Sequence, residues 1–231
     1  MLMSPAELCI LFIHHTDDAV TQNHLALMEK LNPGTPVVPL AFTKGLTHAK
    51  LMPNIVLPAK AANQEPHGNF NSQWFHLDRL LYEWFLSPDR IEADRYLLLE
   101  WDTFCTVPAK EFYKPCWDKP AAGAQIHQFS NAGWPWFQSF DWRKRYGKHL
   151  NGISPTCGVM FSHKALNDVA TLAKDPAHHD LFCETRLGTM LSMTGHQPSV
   201  IFPGVSKYIA CVWRKPRGDG IWHSVKTFPH E

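Results

Sequence analysis

The sequence has 231 residues, with 22 basic and 21 acidic side chains and a formal net charge of +1. This length suits one α/β domain with a substantial core, and we predict a single domain over residues 1–231. The near balance of charge gives no electrostatic argument for nucleic acid or an anionic membrane as the partner.

The cysteines and the apolar runs predict a cellular compartment. Six cysteines are spaced too far apart for a zinc knuckle or a redox pair, which predicts reduced thiols in the core. The first apolar run is too short for a signal peptide, and no other run reaches the roughly 18 residues of a membrane span. We therefore expect a cytoplasmic protein without a membrane span.

A strand, a helix and a second strand are predicted in the N-terminal part. Residues 8–14 form a continuous apolar run, as in a strand buried on both faces. Apolar residues at helical spacing follow, and Asn-Pro-Gly at 32–34 ends that helix. Residues 36–42 read as the second strand, and prolines and glycines over 44–70 predict a loop.

Strands and helices continue to alternate after residue 70. This order predicts a three-layer α/β/α sandwich with a mainly parallel sheet and a ligand site at the carboxyl ends of its strands. The segment 106–150 is expected to be irregular, with one short helix over 108–113. The other predicted elements are, in chain order, a helix over 74–85, a strand over 96–99, a strand over 157–162, a helix over 165–173, a helix over 180–194 and a strand over 199–202.

Two acidic residues follow the apolar strand 96–99. In an extended chain, residues i and i+2 point to the same side, so Glu100 and Asp102 can face one ion while Trp101 turns toward the core. Mg²⁺ and Mn²⁺ prefer oxygen ligands and leave positions open for phosphate oxygens. The pattern indicates a metal site, and solvated strand-end carboxylates are the alternative.

The order of these motifs resembles the GT-A glycosyltransferases, which transfer a sugar from a nucleotide-diphosphate donor. The shared features are a strand, the letters TDD, a helix, Pro-Gly, a strand and a later acid-x-acid motif. The resemblance implies a GT-A-like Rossmann-type fold, Mn²⁺ or Mg²⁺, a nucleotide-diphosphate sugar and a glycan or other hydroxyl-bearing acceptor. The family motif is often Asp-x-Asp, so the departure at Glu100 leaves Asp102 as the predicted direct ligand.

The resemblance extends to the C-terminal motifs CETRLGTMLSMTG and WHSVK. It implies that His223 completes the metal site and that Lys226 meets the diphosphate; an ordinary surface histidine and a solvated lysine are the alternatives. An inverting transfer needs a carboxylate base. Glu184 is the first choice and Asp180 the second, with a helix-capping role as the alternative for Glu184, whereas a retaining enzyme would not need this base.

Three further residues are predicted to contact the nucleotide. Thr16 and Asp17 follow the first strand, where the family usually holds the base and ribose, and they could instead cap the first helix. Asp78, with its neighbour Arg79, either touches the nucleotide or forms a surface pair. The segment 134–142 is rich in aromatic residues and prolines. It suits a pocket wall for a ring-bearing ligand or a loop pinned to the core.

Two other functions compete with the transferase. The letters HHTDD at 14–18 resemble the His-Pro-Asp-Asp-Glu motif of PIG-L type zinc deacetylases, from which Thr16 and Ala19 depart. That resemblance implies zinc ligands at His15, Asp18 and either His178 or His179, with Asp17 as the base. The other function is a nucleotide- or sugar-binding domain that lacks turnover.

Overall fold

A computed structural model describes residues 5–41, 50–51, 76–128, 134, 140–209 and 216–226. Apart from residues 50 and 51, the predicted loop 44–70 lies outside these ranges, as do residues 135–139 of the aromatic segment. The described strands are β1 (Ala6–Ile13), β2 (Val37–Ala41), β3 (Lys50–Leu51), β4 (Ala93–Glu100), β5 (Phe104–Cys105), β6 (Ala121–Gly123), β7 (Gln125–His127), β8 (Gly152–Ser154), β9 (Val159–Ser162), β10 (Ser199–Val200) and β11 (Ile221–Trp222). The described α-helices are α1 (Ala19–Leu31), α2 (Leu77–Phe85), α3 (Ala109–Tyr113), α4 (Phe140–Tyr146), α5 (His163–Leu172) and α6 (Cys183–Met193).

The largest sheet contains seven strands in the order β10-β6-β9-β4-β1-β2-β3. Strand β1 pairs in parallel with β2 and β4, and β2 pairs in parallel with β3. Strand β9 runs antiparallel to both β4 and β6, whereas β6 and β10 are parallel. The structure therefore confirms the predicted mainly parallel, mixed sheet of an α/β protein.

Helices cover both faces of this sheet. Cys9, Leu11 and Ile13 of β1 belong to one hydrophobic cluster, which also contains residues of α2, α5 and α6. The alternate residues of β1 belong to a second cluster with residues of α1 and α3. Because both faces are buried, β1 carries a continuous apolar run instead of an alternating one. The predicted three-layer arrangement is confirmed.

The segment predicted to be irregular contains a strand of the large sheet. Strand β6 lies between β9 and β10 and consists of two alanines and Gly123, all buried. A Cβ at Gly123 would lie 2.7 Å from Cγ1 of Ile153, so this strand packs too closely for a larger side chain. The prediction failed here because small residues give no apolar run that could mark a strand.

A buried ion pair joins α2 to α6. The guanidinium of Arg186 donates from Nε to Oδ2 of Asp78 at 2.7 Å and from a terminal nitrogen to Oδ1 of the same carboxylate. Both side chains are fully buried. The predictions of a nucleotide contact and of a surface pair at Asp78 are therefore corrected, because both carboxylate oxygens face a buried guanidinium.

None of the helices in the described ranges is long and apolar enough to cross a membrane.

Candidate functional site

The acid-x-acid motif lies at the carboxyl end of β4. Glu100 is the last residue of the strand, and a turn follows in which the amide of Thr103 donates to the carbonyl of Glu100 at 3.0 Å. Glu100 and Asp102 are only 8% and 4% exposed, whereas the intervening Trp101 is half-buried and packs against the second hydrophobic cluster. The two acids are thus buried polar groups at the edge of the sheet.

A short antiparallel pair brings the C-terminal segment to this motif. Strand β11 pairs with β5, so that Trp222 lies opposite Phe104. Beyond the pair, the amide of Val225 donates to the carbonyl of Asp102 at 2.8 Å. The amide of His223 donates to the carbonyl of Tyr208 at 3.0 Å. These backbone hydrogen bonds fix residues 222–225 beside the acids.

Three side chains converge there. The Nε2 atom of His223 lies 3.3 Å from Oε2 of Glu100 and 3.2 Å from Oδ1 of Asp102. One potential ligand atom from each of the three residues lies within 4.8 Å of the others. Ser224 donates a hydrogen bond to Oδ2 of Asp102, and Nζ of Lys226 lies 3.5 Å from the same oxygen.

The electrostatics of the cluster favour a positive charge between the two carboxylates. Burial alone would lower the pKa of His223, but hydrogen bonds to Asp102 and Glu100 outweigh it and raise the pKa to about 10. Burial opposes ionisation of Asp102, yet His223, Ser224 and Lys226 hold its pKa well below the ordinary value. The cluster is therefore an imidazolium paired with carboxylates.

The residues present suit a hard divalent cation. Two carboxylates and one imidazole nitrogen lie close enough to share one ion; the carboxylate oxygens suit Mn²⁺ and Mg²⁺, and the imidazole nitrogen is typical of transition-metal sites. The surroundings already stabilise the positive charge of protonated His223. Glu100, Asp102 and His223 are the residues that could hold a metal, and metal binding by them stays a prediction.

Glu184 lies in the first turn of α6, close enough to sense the charges of this cluster. Its Oε2 accepts a hydrogen bond from Oγ of Ser154 at 3.0 Å, and the residue is 8% exposed. Burial raises the pKa of Glu184 from 4.5 to about 8; Glu100 adds to the rise, while Ser154 and His223 oppose it. A carboxyl group that titrates near neutral pH can take up or release a proton during catalysis.

Two histidines that contact Trp101 were not included in the predicted transferase site. The ring of His15 meets Trp101 edge to face at a centroid distance of 5.1 Å, and Nζ of Lys226 lies 5.5 Å from the centroid of the Trp101 ring. Nδ1 of His24, on α1, donates to the carbonyl of Trp101 at 3.0 Å. The sequence signal for His15 is its place in HHTDD, which predicts a zinc ligand and no contact with Trp101.

Three residues of the predicted transferase site have other positions than the metal cluster: Thr16, Asp17 and Asp180. Asp18, and not Thr16 or Asp17, caps α1 by accepting a hydrogen bond from the amide of Thr21 at 2.8 Å. The hydroxyl of Thr16 donates to Asp18, and the nucleotide contacts of Thr16 and Asp17 stay predictions. Asp180 precedes α6, where it pairs with Arg145 at 3.0 Å and accepts a hydrogen bond from the Trp142 indole at 3.2 Å.

The zinc site of a deacetylase is not formed by the described residues. Asp18 is a helix cap, and Nδ1 of His178 is 3.0 Å from the hydroxyl of Tyr146. Nε2 of His179 donates to the carbonyl of Ala173 at 3.1 Å. Within the described ranges, the one group of three or more His, Cys, Asp or Glu residues that could hold a metal is Glu100, Asp102 and His223.

Comparisons with known proteins give similarity in structure only. No protein-family model and no curated protein matches the sequence. The chain is similar to the galactosyltransferase LgtC, solved in complex with donor and acceptor sugar analogues: the TM-score is 0.43 and the identity 11%, over 83% of this chain and 72% of LgtC. It is also similar to the bifunctional glycosyltransferase WbbM in its apo form, with a TM-score of 0.44 and 9% identity over 90% of this chain and 40% of WbbM. The functional conclusion therefore depends on the geometry of the site.

Proposed function

We propose that this protein is a metal-dependent glycosyltransferase that moves a sugar from a nucleotide-diphosphate donor to a hydroxyl group of a glycan or other acceptor. The observation that carries the proposal is the cluster of Glu100, Asp102 and His223 at the carboxyl end of β4, with the ammonium of Lys226 beside it. Two buried acids, a histidine and a partly exposed lysine form a site suited to a cation and a diphosphate together.

Each residue of the cluster has a distinct role. Asp102 and His223 would hold the metal, and Glu100 would support it. Mn²⁺ or Mg²⁺ bound there would neutralise the charge that develops on the departing nucleotide diphosphate. The side chain of Lys226 is 38% exposed, so its ammonium can turn from Asp102 toward a phosphate oxygen.

The nucleotide binds beside the metal, at the ends of β1 and β4. These strands are parallel neighbours, and Ile13 is the register partner of Glu100. The residues that follow β1 therefore lie next to the acid motif, at the edge where open α/β sheets bind ligands. Thr16 and Asp17 contact the base and ribose, and the exposed His15, which precedes them in the chain, packs edge to face against Trp101.

Glu184 is the base that accepts the proton of the acceptor hydroxyl in an inverting transfer. Its pKa of about 8 lies close to physiological pH, where a general base is most effective. The hydrogen bond from Ser154 fixes one carboxylate oxygen, so the group is held in a defined position. Asp180 is the weaker candidate because both of its oxygens have partners, Arg145 and Trp142.

The proposal is tested by comparing Asp102→Asn with Asp118→Asn. Asp118 is an exposed acid paired with Lys119, so its replacement controls for the loss of one carboxylate. Thermal unfolding is followed with UDP, GDP and other nucleoside diphosphates, with and without Mn²⁺, and donor turnover is measured for a panel of nucleotide sugars. Asp102→Asn should abolish both the Mn²⁺-dependent stabilisation by nucleotide and turnover, and Asp118→Asn should retain both.

Retention of both properties in Asp102→Asn contradicts the metal site. Stabilisation of the wild-type protein by nucleotide and Mn²⁺ without turnover of any donor contradicts the transferase and indicates a binding domain. Stabilisation by zinc without nucleotide contradicts it in favour of a hydrolytic zinc enzyme.

A further inference from the structure

Helix α1 buries a histidine beside the acid motif. The buried residues of this helix are Thr21, His24 and Met28, which share one face because they are spaced three and four apart. The imidazole of His24 is 1% exposed and meets the ring of Phe104 edge to face at a centroid distance of 5.4 Å. An apolar side chain could fill this place without burying a polar group, so packing alone does not account for the histidine.

One hydrogen bond defines the state of this imidazole. Nδ1 of His24 lies 3.0 Å from the carbonyl oxygen of Trp101, and since a carbonyl oxygen only accepts, Nδ1 carries the proton. Burial lowers the pKa of the ring, which outweighs the opposing effects of the Trp101 carbonyl and of the charges on Asp102 and Asp18. The ring is therefore neutral at pH 7, and its Nε2 has no hydrogen-bond partner among the described residues. The single N–H of this buried ring is committed to Trp101.

The three backbone carbonyls of the acid motif have donors from three different segments. The carbonyl of Glu100 accepts from an amide within the turn, and the carbonyl of Asp102 accepts from the amide of Val225 in the C-terminal segment. The carbonyl of Trp101, which lies between them in the chain, accepts from the side chain of His24. Helix α1 thus fixes the central carbonyl of the motif.

The hydrogen bond to Trp101 acts on Asp102 through the peptide group. The carbonyl of Trp101 and the amide of Asp102 belong to one planar unit, so a donor that fixes the carbonyl also fixes the direction in which the chain enters Asp102. Strand β4 ends at Glu100, and beyond that residue the alternation of an extended strand no longer aligns the two acids. The hydrogen bond from His24 supplies an orienting restraint at this point.

We propose that His24 is a positioning residue of the metal site: its Nδ1–H holds the peptide between Trp101 and Asp102 so that the carboxylates of Glu100 and Asp102 stay side by side. This inference rests on the proposed function and adds a residue of α1 that determines metal affinity without touching the metal. Groups that orient metal ligands in this way typically matter nearly as much as the ligands themselves.

Three variants separate the N–H of His24 from its ring. His24→Phe keeps a ring against Phe104 but has no donor. The side-chain nitrogen of asparagine and Nδ1 of histidine are both two bonds from Cβ, so His24→Asn retains a donor at the same place. The nitrogen of His24→Gln is one bond further out and should miss the carbonyl of Trp101. His178→Phe is the matched control, because His178 is also buried and its Nδ1 lies 3.0 Å from the hydroxyl of Tyr146.

The affinity for Mn²⁺ and the order of the acid motif are measured separately. Isothermal calorimetry without nucleotide gives the Kd of Mn²⁺, which should rise about 10- to 100-fold in His24→Phe and His24→Gln, the usual scale for loss of a group that orients a ligand. In the metal-free protein, amide exchange at Thr103 and Val225 should accelerate about tenfold in these two variants relative to amides in the middle of β1, as expected for the loss of one hydrogen bond. His24→Asn and His178→Phe should resemble the wild type in both measurements.

Three results overturn the positioning role: His24→Phe and His24→Gln match the wild type in both measurements, His24→Asn loses as much affinity as His24→Gln, or His178→Phe weakens Mn²⁺ binding equally. Because two variants lack the donor, loss of folding in one leaves the other to decide. If the wild-type protein binds no Mn²⁺, the metal site of the proposed function is overturned. Amide exchange in the metal-free variants then decides the role of His24: acceleration only where the donor is missing supports it, and unchanged exchange overturns it.

Discussion

The Nε2 atom of His223 lies 3.2 Å from Oδ1 of Asp102 and 3.3 Å from Oε2 of Glu100, and the pKa of this imidazole is about 10. The proton on this imidazole occupies the position that a metal ion would need. A metal ligand must be deprotonated, so proton and metal compete for the same atom. The competition makes the metal affinity depend on pH.

We therefore expect the affinity for Mn²⁺ to increase with pH. Because one proton leaves His223 for each metal bound, the apparent Kd should fall up to about tenfold per pH unit below pH 10. Isothermal calorimetry at pH 6.5 to 8.5, in buffers with different ionisation enthalpies, counts the protons released. His223→Gln should bind Mn²⁺ weakly and lose this release, and a wild-type protein that releases no proton would contradict the competition.

Lys226 should discriminate between nucleotides by their phosphate groups. Lys226→Met removes the ammonium that lies 3.5 Å from Asp102, and we expect the Kd of UDP with Mn²⁺ to rise about tenfold, the usual scale for loss of a charged hydrogen bond. The Kd of uridine should change little because it has no phosphate. Lys119→Met, at an exposed pair with Asp118, is the control, and equal effects of the two variants would exclude a phosphate contact at Lys226.

Glu184 should make the free energy of unfolding fall with rising pH. Its folded-state pKa of about 8 exceeds the ordinary 4.5, so the folded protein keeps a proton that the unfolded chain releases between these values. The stabilisation is complete below pH 4.5 and is lost as pH rises through about 8, with a slope of at most about 1.4 kcal/mol per pH unit. Urea unfolding from pH 5 to 9 without metal measures this slope, and Glu184→Gln should reduce it. An unchanged slope in the variant would show that other groups cause the pH dependence of the free energy of unfolding.

The same variant tests catalysis. Glu184→Gln should lower sugar transfer about 100-fold or more, the usual scale for loss of general base catalysis, while the stabilisation by Mn²⁺ and nucleotide persists. In the wild type, the rate of transfer should rise with pH and level off above about 8, because the base must be ionised. Transfer by Glu184→Gln at the wild-type rate, with the fold intact, would remove Glu184 from this role.

The buried pair of Asp78 and Arg186 should stabilise the fold without affecting the metal site. Asp78→Ala leaves a guanidinium buried without its carboxylate, which typically costs about 3–5 kcal/mol. Glu92→Ala, at a partly exposed pair with Arg90, should cost less than about 1 kcal/mol. Urea unfolding measures the free energy of unfolding of both variants. Equal losses would show that the buried pair contributes no more to stability than the partly exposed pair.

The acid motif could be predicted because local sequence determines it. An apolar strand buried on both faces and two acids at i and i+2 place Glu100 and Asp102 together without any information from distant segments. The position of His223 required the family resemblance, since only the pairing of β5 with β11 brings it to the acids. Nothing in the sequence around Trp222 marks that strand.

Contacts between distant segments account for what the sequence did not reveal. Asp78 reads as a polar residue of an amphipathic helix, and its burial depends on Arg186, 108 residues further along the chain. Strand β6 consists of small residues, whose place in the sheet depends on the close approach of Ile153. Trp134 stacks on His127 and lies against Gly152, and the pairing of β7 with β8 brings His127 and Gly152 together.

The pairing of β5 with β11 also couples metal binding to the docking of residues 221–225 beside the acid motif. Each strand has only two residues, and so short a pair is weak by itself. A metal ion held by both the acid motif and His223 would bind the docked segment and not the released one, so it would shift the population toward docking. Amide hydrogen exchange in residues 221–225 would then report occupancy of a site whose other ligands lie at the carboxyl end of the buried strand β4.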